Sequence, residues 1–417
     1  MGCRLNAHLV FDLSRLIWRS ARFAPTGIDR VELAYARHLI ATARDRLSFT
    51  GWWGRLGLLP NGDAIAMVEA LNAMWSGSAV DRAAHGKARA IAQKLRRHVM
   101  LRGAVSLYAH LARLGKPIVY VLVSHHRLHR PAELERLKRR TGAQFVFLVH
   151  DLIPIEYPEH VRLGHARQHQ RRMETVARLA DRVIVNSAGT ETALRRHLAL
   201  TDTAVPIVVA PLGIDLCPTG PAAATAERPY FICVATIEPR KNHILLLEIW
   251  HRLAVKLGTE APRLVFVGRR GWKSKHIVDA IRSSAPLRAL VEEHNRLPDA
   301  AVARLLSGAC ALLYPSFAEG YGLPVAEALA LGVPVLCSDL AELREVGRDA
   351  PEYLDPRDAT AWYRAVFDYV QPHSTARQAQ LNRLAAWQAP SWDEHFAIVQ
   401  PVIEGTGTPT RAGARDH

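Results

Sequence analysis

Cysteine is scarce in this 417-residue chain: the five are Cys3, Cys217, Cys233, Cys310 and Cys337, and no two stand at CxxC spacing. An odd, scattered set excludes a disulfide scaffold and a zinc ribbon. Cys233, Cys310 and Cys337 lie within or beside apolar strands and read as small buried hydrophobes in a reducing compartment. No apolar run is long enough to cross a bilayer, and the amino-terminal stretch lacks the apolar core of a secretory signal. The expectation is a cytoplasmic protein. The opening Met-Gly-Cys suits lipid attachment at Gly2, but Asn6 stands where Ser or Thr is needed, and that reading is set aside. No GxGxxG follows the first strand of either half, which counts against a nicotinamide dehydrogenase. Acidic residues are missing from Arg82 to Lys116, a stretch with nine Lys and Arg.

The net charge is +15, and it is unevenly placed. Residues 1–218 hold 32 Lys and Arg against 17 Asp and Glu, whereas residues 219–417 hold 22 of each. The whole excess therefore sits in the first half. A basic helical segment suits a membrane surface or another polyanion, and equally a solvated helix face. No nucleic-acid-binding motif accompanies the charge, so nucleic acid is not an expected partner.

With 49% apolar and 22% charged residues the chain has an ordinary globular composition, and its length suggests two domains of about 200 residues. In the first half, apolar runs at 8–12 (HLVFD), 117–123 (PIVYVLV), 144–150 (QFVFLVH), 182–187 (RVIVNS) and around 206–213 (PIVVAPLG) read as buried strands. Helical spacing follows Thr26-Gly27 and recurs over about 82–113, 162–180 and 190–198. Residues 45–80 show no legible order. The second half repeats the alternation, with strands at YFICVAT, RLVFVG, LRALV, CALLY and VPVLCS separated by helices. The resulting architecture is α/β, two doubly wound parallel sheets facing each other across a cleft. Its expected parts are an N-terminal domain at 1–215, a linker at 216–228, a C-terminal domain at 229–385, a closing helix at 386–404 and a disordered tail at 405–417.

Four clusters fall where strands end. Thr26-Gly27 lets a phosphate approach backbone and helix, and is also an ordinary turn. His150-Asp151 ends a buried strand, able to bind a polar substrate or move a proton, or simply to cap the strand. Arg240 and Lys241, in IEPRKNH, stand at a helix start where cations oppose the macrodipole; a bound diphosphate would reverse that conflict. The fourth stretch, PSFAEGYGLPVAEALALG, carries Glu319 and Glu327 with seven residues between them. Glu319 lies in a glycine loop, and Glu327 is read as a first-turn helix carboxylate.

Together these residues resemble the GT-B glycosyltransferases of family four, whose pair of glutamates stands here as EGYGLPVAE. VATIEPRKNH, LVFVGRRGW, ADRVIVNS, APLGID and FVFLVHDLIPI match further, in the family's order. The resemblance implies a GT-B fold of two Rossmann-like domains and a retaining, metal-independent transfer of a hexose from a nucleotide-sugar donor without any cofactor. Arg240 and Lys241 would hold the donor diphosphate, Glu327 the ribose hydroxyls, and Glu319 the transferred sugar beside the amides of Gly320, Tyr321, Gly322 and Leu323. His150, with Asp151, would face the sugar from the opposite domain, and Gly27 would close over the phosphates. Two departures stand out: Ala235 replaces a glycine frequent before the basic pair, and the N-terminal loop has one glycine rather than two. Within the family the chain is similar to bacterial O-antigen, capsule and exopolysaccharide enzymes, many of them mannosyltransferases. That implies a glycan or polyprenyl-diphosphate-linked acceptor, met at the inner membrane surface by the basic N-terminal domain. A nucleotide-sugar 2-epimerase and a silent scaffold of a polysaccharide complex are the alternatives on the same architecture.

Overall fold

The computed structural model describes residues 7–77, 81–201, 203–215, 228–295 and 297–405. The expected linker (except Arg228) and the expected tail (except Gly405) lie outside the described residues. The N-terminal lobe is built on strands β1 (His8–Asp12), β2 (Leu47–Trp53), β3 (Arg55–Leu59), β4 (Ile118–Leu122), β5 (Gln144–Val149), β6 (Arg182–Val185) and β7 (Ile207–Val209). They form one sheet in the order β3-β2-β1-β4-β5-β6-β7, parallel except for β3. The C-terminal lobe carries β8 (Tyr230–Val234), β9 (Arg263–Val267), β10 (Val291–His294), β11 (Leu312–Tyr314), β12 (Val335–Ser338) and β13 (Glu352–Leu354) in the order β10-β9-β8-β11-β12-β13, all parallel.

The apolar runs become strands because a parallel sheet between helical layers buries both of its faces, so such strands read as nearly continuous apolar runs. β1 and β4 are buried at all five positions. The described part of the stretch 45–80, residues 45–77, resolves into the antiparallel pair β2-β3, turning at Gly54, and a helix at Asn61–Ser76. The basic stretch is helical as read, but a π turn at Val99–Gly103 divides it into Arg82–His98 and Ala104–Leu114.

LRALV departs from its reading as a strand. Its buried residues are Leu287 and Leu290, one helical turn apart, and Ser284 caps a helix at Ala285–Leu290 by accepting from the Leu287 amide. The strand is the next segment, Val291–His294, whose Val-Glu-Glu-His sequence suits a half-exposed sheet edge. The helix Ala341–Gly347 and β13 are further elements not read from the sequence.

The closing helix, Trp392–Glu404, does not stay with the lobe that precedes it. Its Phe396, Val399, Val402 and Ile403 pack into the core of the N-terminal lobe with Tyr35, Ala36 and Leu39. His395 fixes this seat: Nδ1 donates to the Pro211 carbonyl (2.9 Å) and Nε2 accepts from the Tyr35 hydroxyl (2.8 Å). The chain thus crosses between the lobes twice, and the crossings run side by side, with the Ile214 amide donating to the Pro390 carbonyl at 3.2 Å.

Burial pushes the His395 imidazole down to about 4, and likewise those of His8 and His150. In the unfolded chain these groups take up protons near the ordinary value of about 6.5. Their contribution to stability is therefore complete above pH 6.5 and is lost as pH falls from there through about 4. We predict that the thermal midpoint drops across that window, and that His395→Asn lowers the midpoint at neutral pH while flattening the drop. An unchanged slope in that variant would show that His395 does not titrate with unfolding.

Candidate functional site

The order of the C-terminal sheet sets the site. β8 and β11 are neighbours, so the loops leaving their carboxyl ends lie side by side. The first makes a 3₁₀ turn, Pro239–Lys241, and reaches the helix His243–Leu257 through Asn242, which is left-handed (φ 55°). Arg240 and Lys241 thus stand just outside the helix. The second loop carries Glu319 and clamps onto the first: the Phe317 amide donates to the Arg240 carbonyl at 2.9 Å, and Arg240 Nη1 donates to the Ala318 carbonyl.

At their meeting point the Glu319 carboxylate takes an ion pair from Lys241 Nζ on Oε1 and one from Arg240 Nη1 on Oε2 at 3.2 Å. Lys241 also donates to the Tyr314 hydroxyl at 2.8 Å, and Arg240 Nη2 pairs with Glu238 at 3.2 Å. The Glu319 side chain is only 8% exposed. Burial alone would raise its pKa, but Lys241 and Arg240 outweigh that and hold it at about 2. The anion that settles the two cations is therefore a carboxylate of the same chain.

Gly320 brings the other lobe into contact. A Cβ there would lie 2.5 Å from the His150 carbonyl oxygen and 2.9 Å from the Asp151 Cβ, so only glycine lets this loop press against the end of β5. Ser187 Oγ donates to the Gly320 carbonyl at 3.0 Å. Asp151, Leu152, Gly189, Thr190, Ala318 and Glu319 line the small cavity that remains. His150 is buried; Nε2–H donates to the Val123 carbonyl at 2.7 Å. A pKa near 4, set mainly by burial, makes it a neutral hydrogen-bonding group and a weak base near pH 7. Asp151 Oδ1 accepts from the Ile153 amide at 3.2 Å.

Gly322 is left-handed (φ 105°) and caps a helix at Leu323–Ala330. Glu327 is its fifth residue, so it sits in the second turn rather than the first, beyond the reach of the helix amino end. It is tied across the lobes instead: Arg30 Nη1 pairs with Glu327 at 3.1 Å and Arg30 Nη2 with Asp299 at 2.5 Å. Burial raises the Glu327 pKa, and Arg30 opposes it. Arg30 lies one turn after Gly27, and a Cβ on Gly27 would meet Leu323 at 3.3 Å. Gly27, Leu323 and Glu327 thus form a second cluster around Arg30. Tyr321 belongs to neither: its buried ring turns into the N-terminal core and its hydroxyl donates to the Leu212 carbonyl at 2.7 Å. Arg30, Asp299 and Tyr314 were not singled out from sequence. For Arg30 the available signal was its place on the Gly27 face of the same helix.

Residues 221–378 match the family described as Glycosyl transferases group 1. The O-antigen chain mannosyltransferase B of Escherichia coli is 32% identical over 168 residues, which are 40% of this chain and 44% of that protein. The serotype-specific mannosyltransferase WbdA of Escherichia coli is 28% identical over 291 residues, 64% of this chain and 35% of that protein. The chain thus spans less than half the length of these two curated relatives. Among solved structures, sucrose-phosphate synthase from Thermosynechococcus elongatus superimposes with a TM-score of 0.65 at 17% identity, covering 95% of this chain and 98% of that one.

The ion cluster generates a test that needs no substrate. Glu319→Ala leaves Lys241 and Arg240 buried without their carboxylate, a loss of about 3–5 kcal/mol for a buried pair broken on one side. Sulfate is expected to restore part of the thermal midpoint in this variant and to do little for the parent protein. Equal midpoints for the two proteins without sulfate would mean that the cluster carries no stability.

Proposed function

We propose that this chain, which carries a group 1 glycosyltransferase domain in a GT-B fold, is a retaining glycosyltransferase. In this reading it moves a hexose, with mannose favoured, from a nucleoside-diphosphate sugar to a growing lipid-linked cell-surface polysaccharide. The observation that carries the reading is the pair Lys241 and Arg240, gathered on Glu319 at the cleft opposite His150. Mannose as the sugar, and a cell-surface glycan as the product, are suggested by the printed activities of the O-antigen relatives.

In the proposed reaction Lys241 and Arg240 take up the charge of the leaving diphosphate, so the reading needs no metal. Glu319, freed from part of its pairing, accepts from hydroxyls of the sugar. Glu327 accepts from the vicinal hydroxyls of the ribose beside Arg30, and neutral His150 hydrogen-bonds the sugar from the other lobe. The bond from the anomeric carbon to the phosphate oxygen breaks as the acceptor oxygen bonds on the same face. The acceptor proton passes to the departing phosphate. The protein supplies position and charge.

A lipid-linked acceptor is met at a membrane, and the outer face of the run from Arg82 to Leu114 suits one. Met100, Leu101 and Val105 are 56%, 76% and 78% exposed, among Arg97, Arg102 and Arg113, which are also exposed. Apolar side chains ringed by cations bind anionic bilayers. Two other cations of this run are engaged internally: Arg96 donates to the Ile17 carbonyl and stacks over Trp53, and Lys94 pairs with Asp63. No helix among the described residues is long and apolar enough to cross a membrane.

Two measurements test the reading. In a thermal-shift panel of GDP-mannose, UDP-glucose, UDP-N-acetylglucosamine and dTDP-rhamnose, one donor is expected to raise the midpoint by mass action. Lys241→Ala is expected to weaken that donor at least tenfold, about 1.4 kcal/mol; an unchanged dissociation constant removes the diphosphate assignment. Arg97→Gln, Arg102→Gln and Arg113→Gln together with Leu101→Glu are expected to abolish sedimentation with phosphatidylglycerol vesicles. Equal sedimentation before and after would reduce this face to a solvated helix.

A further inference from the structure

The end of β4 opens into Ser124-His125-His126-Arg127-Leu128-His129-Arg130, and the helix His165–Leu179 lies beside it. The His125 ring is 5.4 Å from that of His150 and 4.9 Å from that of His169. His169 Nε2 donates to the Asp151 carbonyl at 3.1 Å, which joins this group to the wall that presses on Gly320. Nε of Arg127, Nε of Arg172 and Nδ1 of His129 are buried here without a hydrogen-bond partner. The side-chain bond of Arg172 is a long one, Nη2 to Gln168 at 3.4 Å. Asp151 is the acid within electrostatic reach of Arg172, and its Oδ1 is already occupied by the Ile153 amide.

Buried donors are ordinarily satisfied, and a set of them left open among like charges is a standing cost. The mutual repulsion is visible in the histidines. Burial first, then Arg127, Arg15 and Arg172, push His126 down to about 3. Burial and the surrounding arginines likewise lower His129. An anion with several acceptor oxygens would satisfy the nitrogens and relieve the repulsion together, and a guanidinium fork suits the oxygens of a phosphate.

We propose that Arg127, His129 and Arg172, with His169 beneath them, form an anion subsite on the N-terminal wall of the cleft that takes a phosphate group of the acceptor. The proposal rests on the glycosyltransferase reading for the word acceptor. Lys241 and Arg240, on the opposite lobe, are assigned there to the donor's diphosphate, so a second phosphate site across the cleft belongs to the second substrate. The acceptor is then a sugar or lipid-linked sugar that carries a phosphate or diphosphate near its reacting hydroxyl, as at the first additions to a lipid-linked chain.

The test uses the full chain and inorganic pyrophosphate, with Lys241→Ala to silence the donor site. Calorimetric titration of Lys241→Ala is expected to show retained pyrophosphate binding. Adding Arg127→Gln and Arg172→Gln should weaken it at least tenfold, while the same two changes alone leave the affinity for GDP or UDP, whichever the parent binds, within twofold. Farnesyl diphosphate, a soluble lipid diphosphate, should bind the same site at least as tightly as pyrophosphate. In the unsubstituted protein, pyrophosphate should shift the ring resonances of His129 and His169, a readout that needs no variant to fold. Pyrophosphate affinity unaffected by the two arginine changes, binding lost with Lys241→Ala alone, or unmoved histidine resonances would each overturn the subsite. Exclusion of farnesyl diphosphate would overturn its assignment to a lipid-linked acceptor. Nucleotide binding indifferent to Lys241 would instead count against the donor assignment, leaving the arginine result to stand by itself.

Discussion

A single carboxylate held between two cations, Glu319 between Lys241 and Arg240, organises the cleft. An ionised carboxylate this deeply buried persists only where opposite charge compensates its desolvation. That requirement reaches far into the fold. It needs β8 and β11 to be adjacent, so that two loops nearly eighty residues apart in sequence end at one point. It needs a turn that places Arg240 and Lys241 outside the helix, and a second loop bonded along the first. It also needs Gly320, whose bare backbone brings the loop against β5.

The same contacts join the lobes. Arg30, Ser187 and Tyr321 each reach across to the other lobe's chain, and the Trp272 indole donates to the His160 carbonyl at 3.3 Å while His160 stacks on Phe317. These polar contacts are joined by apolar ones, since Tyr321, Ala326 and Val346 of the C-terminal lobe pack into the N-terminal core.

The parallel strands were legible because burial on both faces leaves continuous apolar runs, and QFVFLV and YFICV announce themselves. The loops at their carboxyl ends were legible for a related reason: Arg240, Lys241 and Glu319 break local rules of charge and turn formation. What was hidden depended on distant partners. Val-Glu-Glu-His gives no apolar signal because an edge strand is half solvated. Arg30 looks like any surface arginine on a helix, and its meaning comes from Asp299 and Glu327, 269 and 297 residues away. Arg96 reads as one more basic residue of its helix until Trp53 and the Ile17 carbonyl are placed beneath it. Pro324 marks a helix start in the sequence and so points to a first-turn Glu327, whereas the left-handed Gly322 sets the start at Leu323 and moves Glu327 to the second turn.

The closing helix bears on how the chain is made as well as on how it stands. Tyr35 and His395 are bonded at a separation of 360 positions. A chain emerging from its amino end therefore builds the first lobe with one wall missing, and Tyr35, Ala36 and Leu39 wait without their cover while the entire second lobe is synthesised. At about 5–20 residues per second that delay is on the order of tens of seconds. The first lobe is completed last. Truncation near residue 390 would leave both sheets intact in sequence and still expose the apolar seat of the amino-terminal core, a surface prone to self-association.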